Sequence, residues 1–360
     1  MESNKYDNLI GGRLVENIFD AGGTLLVAKG TELLETHLKK LEKFRIDIDD
    51  IKIEGVTAEE SANDPAESAA SGSISAAVHG ISLQDMVRRA EERLREIDSF
   101  VHQNGTVPLA TVEEYVLPVI KEATHRHNLF QLLNELKEHG DYRYKQSIGT
   151  AVIATSLGRR LHLPEAELTL LTTAAILYDI GSLKLPSFLA NKPLKLDVHE
   201  TAIMKQHTVL GYELLQQSGV DERVALVALQ HHEREDGSGY PSGLKGNQID
   251  RLSKIVALAD VYMAMISERP YRPAVAFFEV MNDIHQQIVQ QQFDLAIGLT
   301  FLDSLLSAQI GCDVILSDER RGKIMLTNVN YPTKPLIALP DDAFIDLSKT
   351  STIAIREIVG

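Results

Sequence analysis

The sequence predicts a mainly α-helical protein: a helical bundle with a small α+β unit before it and a small β unit after it. Three observations carry this. Across residues 81–309 apolar side chains recur at the three- and four-residue spacing of amphipathic helices. Short apolar runs broken by turn residues fill residues 1–56 and again residues 310–360. Between the first unit and the bundle, over residues 57–80, the composition shifts to Ala, Ser and Glu, as in Ala66-Glu67-Ser68-Ala69-Ala70-Ser71, which reads as a flexible linker.

In the first unit, apolar runs at residues 14–19 and 24–28 flank Asp20-Ala21-Gly22-Gly23 and read as a hairpin. Residues 33–44 have helical spacing, and residues 49–53 read as one more strand. The bundle divides into leading helices, 81–139, and a core, 140–309. Ser82 with Asp85 opens the first leading helix, which carries Met86, Leu94 and Ile97; Thr111-x-x-Glu114 has the form of a capping box opening a second, to about residue 138. Core helices are expected over residues 147–161, 165–178, 200–217, 253–266 and 277–290, with a further apolar helical run at 224–229. After Gly311, strand-like runs at 314–316, 323–326, 336–339 and 353–355 are separated by turns.

Composition limits the function classes. A chain of 360 residues with 44% apolar and 24% charged residues is globular and long enough for two or three domains. Its net charge of -15 excludes a broad surface for a nucleic-acid polymer or an anionic membrane, so a small anionic ligand needs a local basic pocket. The single cysteine, Cys312, cannot form an intrachain disulfide and fits a reducing compartment. The longest apolar run, residues 168–178, is short of the roughly 20 residues that span a bilayer, and the N-terminus lacks a basic-then-apolar signal pattern. A cytoplasmic location is the expectation. No fixed-period repeat is present.

The chemistry is concentrated in His231-His232-Glu233-Arg234-Glu235-Asp236-Gly237-Ser238-Gly239-Tyr240-Pro241. Adjacent imidazoles can both face a metal only where a helix is ending, and the glycines that follow supply that freedom. This stretch, with Tyr178-Asp179-Ile180-Gly181, Met204-Lys205-Gln206-His207 and Gly211, Ala259-Asp260-Val261-Tyr262, and Arg269-Pro270-Tyr271-Arg272, resembles the HD-GYP family of helical, metal-dependent cyclic di-GMP phosphodiesterases. The resemblance covers roughly residues 140–306 and implies an HD-domain bundle.

It implies one metal held by Asp179, His207, His231 and His232, all present. For a neighbouring metal it implies an early His, the His of a His-Asp pair, the bridging Asp and a distal Asp. Here Gln146 and Tyr178 stand at the two His positions, leaving Asp179 and Asp260. An amide and a neutral phenol are poor replacements for imidazole. At most one tightly held divalent transition metal is therefore expected, with Fe, Mn, Ni and Zn all compatible. The substrate-handling set also departs, with Ser182 in place of a lysine and Met263 in place of a carboxylate, although Lys184 lies two residues on. Gly239, Tyr240, Pro241, Arg269 and Arg272 keep the loop and the phosphate-facing cations that the resemblance implies.

Plainer readings stand beside these. Arg269 and Arg272 also suit an ion pair with Glu268; Tyr240 suits loop packing as well as stacking on a guanine. Tyr178 is most simply a core residue filling the volume of a lost metal and imidazole. His125, His127, His199 and His285 carry no assigned role. The preferred function is a divergent HD-GYP protein that binds cyclic di-GMP with weak or no hydrolysis. One alternative is an active phosphodiesterase in which Asp179 helps hold a single metal and Asp260 orients the water; another is a nucleotide-free scaffold for signalling proteins.

Overall fold

The computed structural model describes residues 82–126, 142–190, 196–267 and 275–359, plus Leu14, Ile18, Phe19, Leu25, Leu26, Val27, Thr31, Leu33, His37, Leu41, Ile51, Leu129, Leu132, Leu133 and Lys192. The chain forms two compact units, Met1–Glu67 and Ser68–Gly360. In the first, β1 (Ile18–Phe19) pairs antiparallel with β2 (Leu25–Val27), as the hairpin reading anticipates. His37 and Leu41 are helical. Ile51 is buried but not in a strand, and the rest of that expected strand, like the 57–80 linker, lies outside the described residues.

The second unit opens with α1 (Leu83–Asn104), whose first turn is capped by Ser82 accepting from the Asp85 amide at 3.1 Å. Met86, Leu94 and Ile97 lie on its buried face. The capping box expected at Thr111 does not form. Helical structure already begins at Leu109 behind Pro108, and Thr111 has helical angles and no capping bond. A π-turn, Val112–Val116, then leads into α2 (Leu117–Arg126). Pro118 has no amide hydrogen to donate back along the helix, and a register change beside it accommodates that loss.

The core helices follow: α3 (Tyr142–Arg160), α4 (Glu165–Leu177), a 3-10 turn Ile180–Lys184, α5 (Val198–Lys205), α6 (His207–Gln217), α7 (Glu222–Gln230), α8 (Arg251–Ile266), α9 (Phe277–Val289) and α10 (Leu295–Ser307). The helix expected over 200–217 is in fact two. It starts early, at a capping box in which Asp197 and Glu200 exchange backbone bonds of 2.8 and 2.9 Å, and breaks at Gln206. One segment, Glu165–Lys184, exceeds the apolar length read from the sequence and by length and composition alone could cross a membrane. Over an 18-residue stretch of it 61% of the residues are buried within the domain, so it packs here as the core helix α4 and the turn after it. Phe301 of α10 is fully buried and meets Tyr262 of α8 edge-on at 5.1 Å, a contact worth roughly 0.5–1.5 kcal/mol beyond area burial.

After α10 the chain forms an antiparallel five-stranded sheet of β3 (Asp313–Leu316), β4 (Arg321–Leu326), β5 (Leu336–Ala338), β6 (Phe344–Asp346) and β7 (Ile355–Val359), in the order β6-β5-β4-β3-β7. Val314, Leu316, Ile324, Ile337 and Leu347 form its core, and Phe278 of α9 packs against both this cluster and the helical core. Two sequence expectations change. The last strand starts at Ile355, with Ile353 packing under the sheet from outside it, and β6 was not anticipated. Phe344 is exposed, so β6 lacks the inward alternation that marks a strand.

Candidate functional site

Helix ends place the candidate ligands. Gln230 is the last residue of α7 and its side-chain oxygen accepts from the Asp250 amide at 2.8 Å, tying this end to the start of α8. His231 is the C-cap, and the chain turns away immediately, so His231 and His232 project from a helix that has stopped. His207 opens α6, and Asp179 precedes the 3-10 turn.

The three imidazoles converge, with ligand atoms all within 4.8 Å of one another. His207 Nδ1 donates to the Met204 carbonyl at 2.6 Å, and His231 Nδ1 donates to the Ala228 carbonyl at 2.9 Å. These bonds orient the rings through Nδ1 and leave both Nε2 atoms facing the pocket. The two Nε2 atoms are 3.2 Å apart, a repulsion that a shared cation relieves. Asp179 Oδ1 lies 3.6 Å from His207 Nε2, at the edge of the cluster. The donor set therefore fits one metal, which when bound would act as a Lewis acid toward a phosphate and a water.

Burial keeps His231 and His232 neutral. It pushes His231 down to about 3, with His207 and Arg234 adding repulsion, and holds His232 well below its ordinary value. Asp179 moves the other way, up to about 6, from desolvation and repulsion by Asp260, partly offset by His207.

These shifts predict the acid behaviour of the metal-free protein. A His lowered from 6.5 stabilises the fold above that value and loses the contribution as pH falls toward the folded pKa. Asp179, raised from 3.8 to about 6, opposes this by gaining its proton in the folded state across that interval. Two imidazoles against one carboxyl give a net loss, unopposed between pH 6.5 and 6. The melting temperature of chelator-stripped protein is expected to fall between pH 7 and 5; a flat or rising curve contradicts the assignment.

On the far side, the structure brings Gln146, Tyr178 and Asp260 together. Tyr178 OH donates to Asp260 Oδ1 at 2.6 Å, and Gln146 Nε2 donates to the same oxygen at 2.8 Å. Tyr178 is buried, and desolvation with the nearby Asp260 and Asp179 charges raises its pKa well above the usual phenol value, so it remains a donor. It meets His231 edge-on at 5.0 Å. Tyr178 is thus more than the volume-filling residue read from the sequence. Gln146 Oε1 is buried with no hydrogen-bond partner. Ser182 sits on the 3-10 turn, and Met263 packs so closely on Gly149 that a Cβ there would lie 2.3 Å from its Cε. Arg269 and Arg272 lie outside the described residues.

The loop is held from inside. Glu233, only 3% exposed, accepts from the Ser242 amide at 2.7 Å and the Leu244 amide at 3.0 Å. Gly239 passes over the backbone so closely that a Cβ would lie 2.4 Å from Glu233 Cα. Tyr240 stacks on His232 with ring centres 4.6 Å apart, and Pro241 follows it in the loop. Glu233 was missed in the sequence because the run Glu233-Arg234-Glu235-Asp236 reads as a solvated turn. Arg234 was missed for the same reason; it donates to the carbonyls of His231 and Glu233 at 3.3 and 2.8 Å.

Residues 128–297 match the family described as HD domain. In sequence, 126 residues are 45% identical to the cyclic di-GMP phosphodiesterase response regulator RpfG of Xanthomonas campestris pv. campestris, covering 34% of this chain and 33% of that protein. Over residues 128–297 the helical domain is an HD domain. A cyclic di-GMP phosphodiesterase of Pseudomonas aeruginosa is 31% identical over 242 residues, 64% of this chain and 58% of that protein. The chain thus spans between a third and three-fifths of the length of these two relatives. A solved structure described as an HDG"Y"P protein from Bdellovibrio bacteriovorus shares the fold, with a TM-score of 0.52 at 17% identity over 82% of this chain and 96% of that one.

Proposed function

We propose that this chain is a divergent HD-GYP protein of cyclic di-GMP signalling that binds the nucleotide at a one-metal site and hydrolyses it weakly or not at all. The observation that carries the reading is Asp260 Oδ1, which accepts from both Gln146 and Tyr178. Two neutral donors compensate a carboxylate that a second cation would otherwise neutralise. The nucleotide is supported by relatives named as cyclic di-GMP phosphodiesterases. Of the possible ions, Fe, Mn, Ni and Zn all accept imidazole with carboxylate. Lacking one of two Lewis acids removes on the order of several kcal/mol of transition-state stabilisation. The single Cys312 supports a reducing, cytoplasmic setting.

Those relatives' names also favour a second reading, an active phosphodiesterase in which Asp260 orients the attacking water. The test is calorimetric titration of metal-loaded protein with cyclic di-GMP, followed by chromatography of the products. Saturable binding with only a trace of linear product is the expected result. Rapid turnover selects the enzyme, and no binding at millimolar nucleotide leaves a protein-interaction scaffold.

A further inference from the structure

Lys205 ends α5, two residues before His207, and is exposed. Its Nζ rests 4.6 Å from the centre of the Tyr240 ring, the same ring that stacks on His232. Among the described residues no carboxylate lies within ion-pairing distance of it, although the chain has 51 acidic residues against 36 Lys and Arg. Arg234, another cation beside the pocket, is committed to two backbone carbonyls and lies over the Phe293 ring. Ser182 brings no charge to the turn after Asp179. Lys184, at the end of that turn, is exposed, and no ring contact or ion pair ties it to the pocket.

We propose that Lys205 is a phosphate-binding cation of this pocket, parked on the face of Tyr240 when the pocket is empty and transferred to a non-bridging phosphate oxygen when ligand enters. This rests on the reading of the pocket as a nucleotide site. An exposed cation-π contact is weak, and the four-carbon stem of lysine lets the ammonium swing. A charge-assisted bond to phosphate is the stronger alternative. Departure of the ammonium uncovers Tyr240, so the same movement that binds phosphate exposes an aromatic face for a base. The ligand class is a phosphodiester carrying an aromatic base.

The experiment titrates the metal-loaded full chain with cyclic di-GMP and, separately, with inorganic phosphate, recording metal content and melting temperature for every variant. Lys205→Met is expected to weaken both ligands by roughly tenfold or more, as for loss of a hydrogen bond to a charged group. Lys205→Arg should retain binding, and Tyr240→Ala should weaken the dinucleotide but not phosphate. Equal affinities in wild type and Lys205→Met overturn the proposal, as does loss of binding in Lys184→Met but not in Lys205→Met. Metal loss in Lys205→Met also overturns it, by giving Lys205 a structural role. If wild type ignores cyclic di-GMP yet its phosphate affinity falls in Lys205→Met, the lysine assignment stands and the nucleotide reading fails. Binding of neither ligand by wild type overturns both.

Discussion

Replacing His231 and His232 together by alanine abolishes transition-metal uptake, taking the protein from one metal per chain to none. His231 supplies one of two Nε2 atoms that face each other at 3.2 Å, and His232 is the third member of the cluster. Their removal leaves His207 and Asp179, too few donors to complete a tetrahedral shell. The variant should still fold, with a lower melting temperature: His231 is 1% exposed, and Tyr240 loses the ring on which it stacks. Elemental analysis of purified wild type and variant, with circular dichroism melts, makes the comparison. Two metals per chain in wild type, or metal retained by the folded variant, contradicts the assignment.

The second large effect is a gain. Gln146→His with Tyr178→His places two imidazoles beside Asp179 and Asp260, and metal content should rise toward two per chain. Only the double variant should show it. The two side chains donate to one oxygen, Asp260 Oδ1, at 2.8 and 2.6 Å, so either single change leaves the other donor in place and the coordination shell incomplete. Any hydrolysis should rise in step with metal content. Ser182→Lys and Met263→Asp supply the remaining charges, but the latter puts a carboxylate where a thioether packs on Gly149 and costs stability. A double variant that melts cooperatively at the wild-type temperature and binds no extra metal sinks the idea, and the mapping of Gln146 is the first assignment to withdraw.

Much of this was legible from residue types alone, and the exceptions have physical causes. The sequence located α3, α4, α8 and α9 to within about a turn, α9 by the buried stripe of Val280, Met281, Ile284 and Ile288, and α3 and α4 by long apolar runs that are buried on nearly every side. The break at Gln206 left no trace in the period, since both flanking helices continue the same apolar spacing. Thr111 misled because a capping box is a local pattern, while the helix start was decided by Pro108 three residues earlier. The adjacent histidines announced themselves, and family resemblance supplied His207 and Asp179. Hydrogen-bond networks are harder to read. Nothing in the sequence says that Gln146 and Tyr178, 32 positions apart, share one acceptor. Glu233 likewise looks like its charged neighbours until its two amide partners are seen.

The turn after Asp179 touches α6 through backbone. A Cβ at Gly181 would lie 2.0 Å from the His207 carbonyl oxygen and 2.4 Å from the Gly211 amide nitrogen. The segments carrying Asp179 and His207 are thereby registered against each other by main-chain atoms, which substitution of other side chains leaves in place. A pocket built this way can change its chemistry without changing its shape. Side chains at such a site can be exchanged for others of different chemistry while the main-chain frame that sets their spacing stays in place.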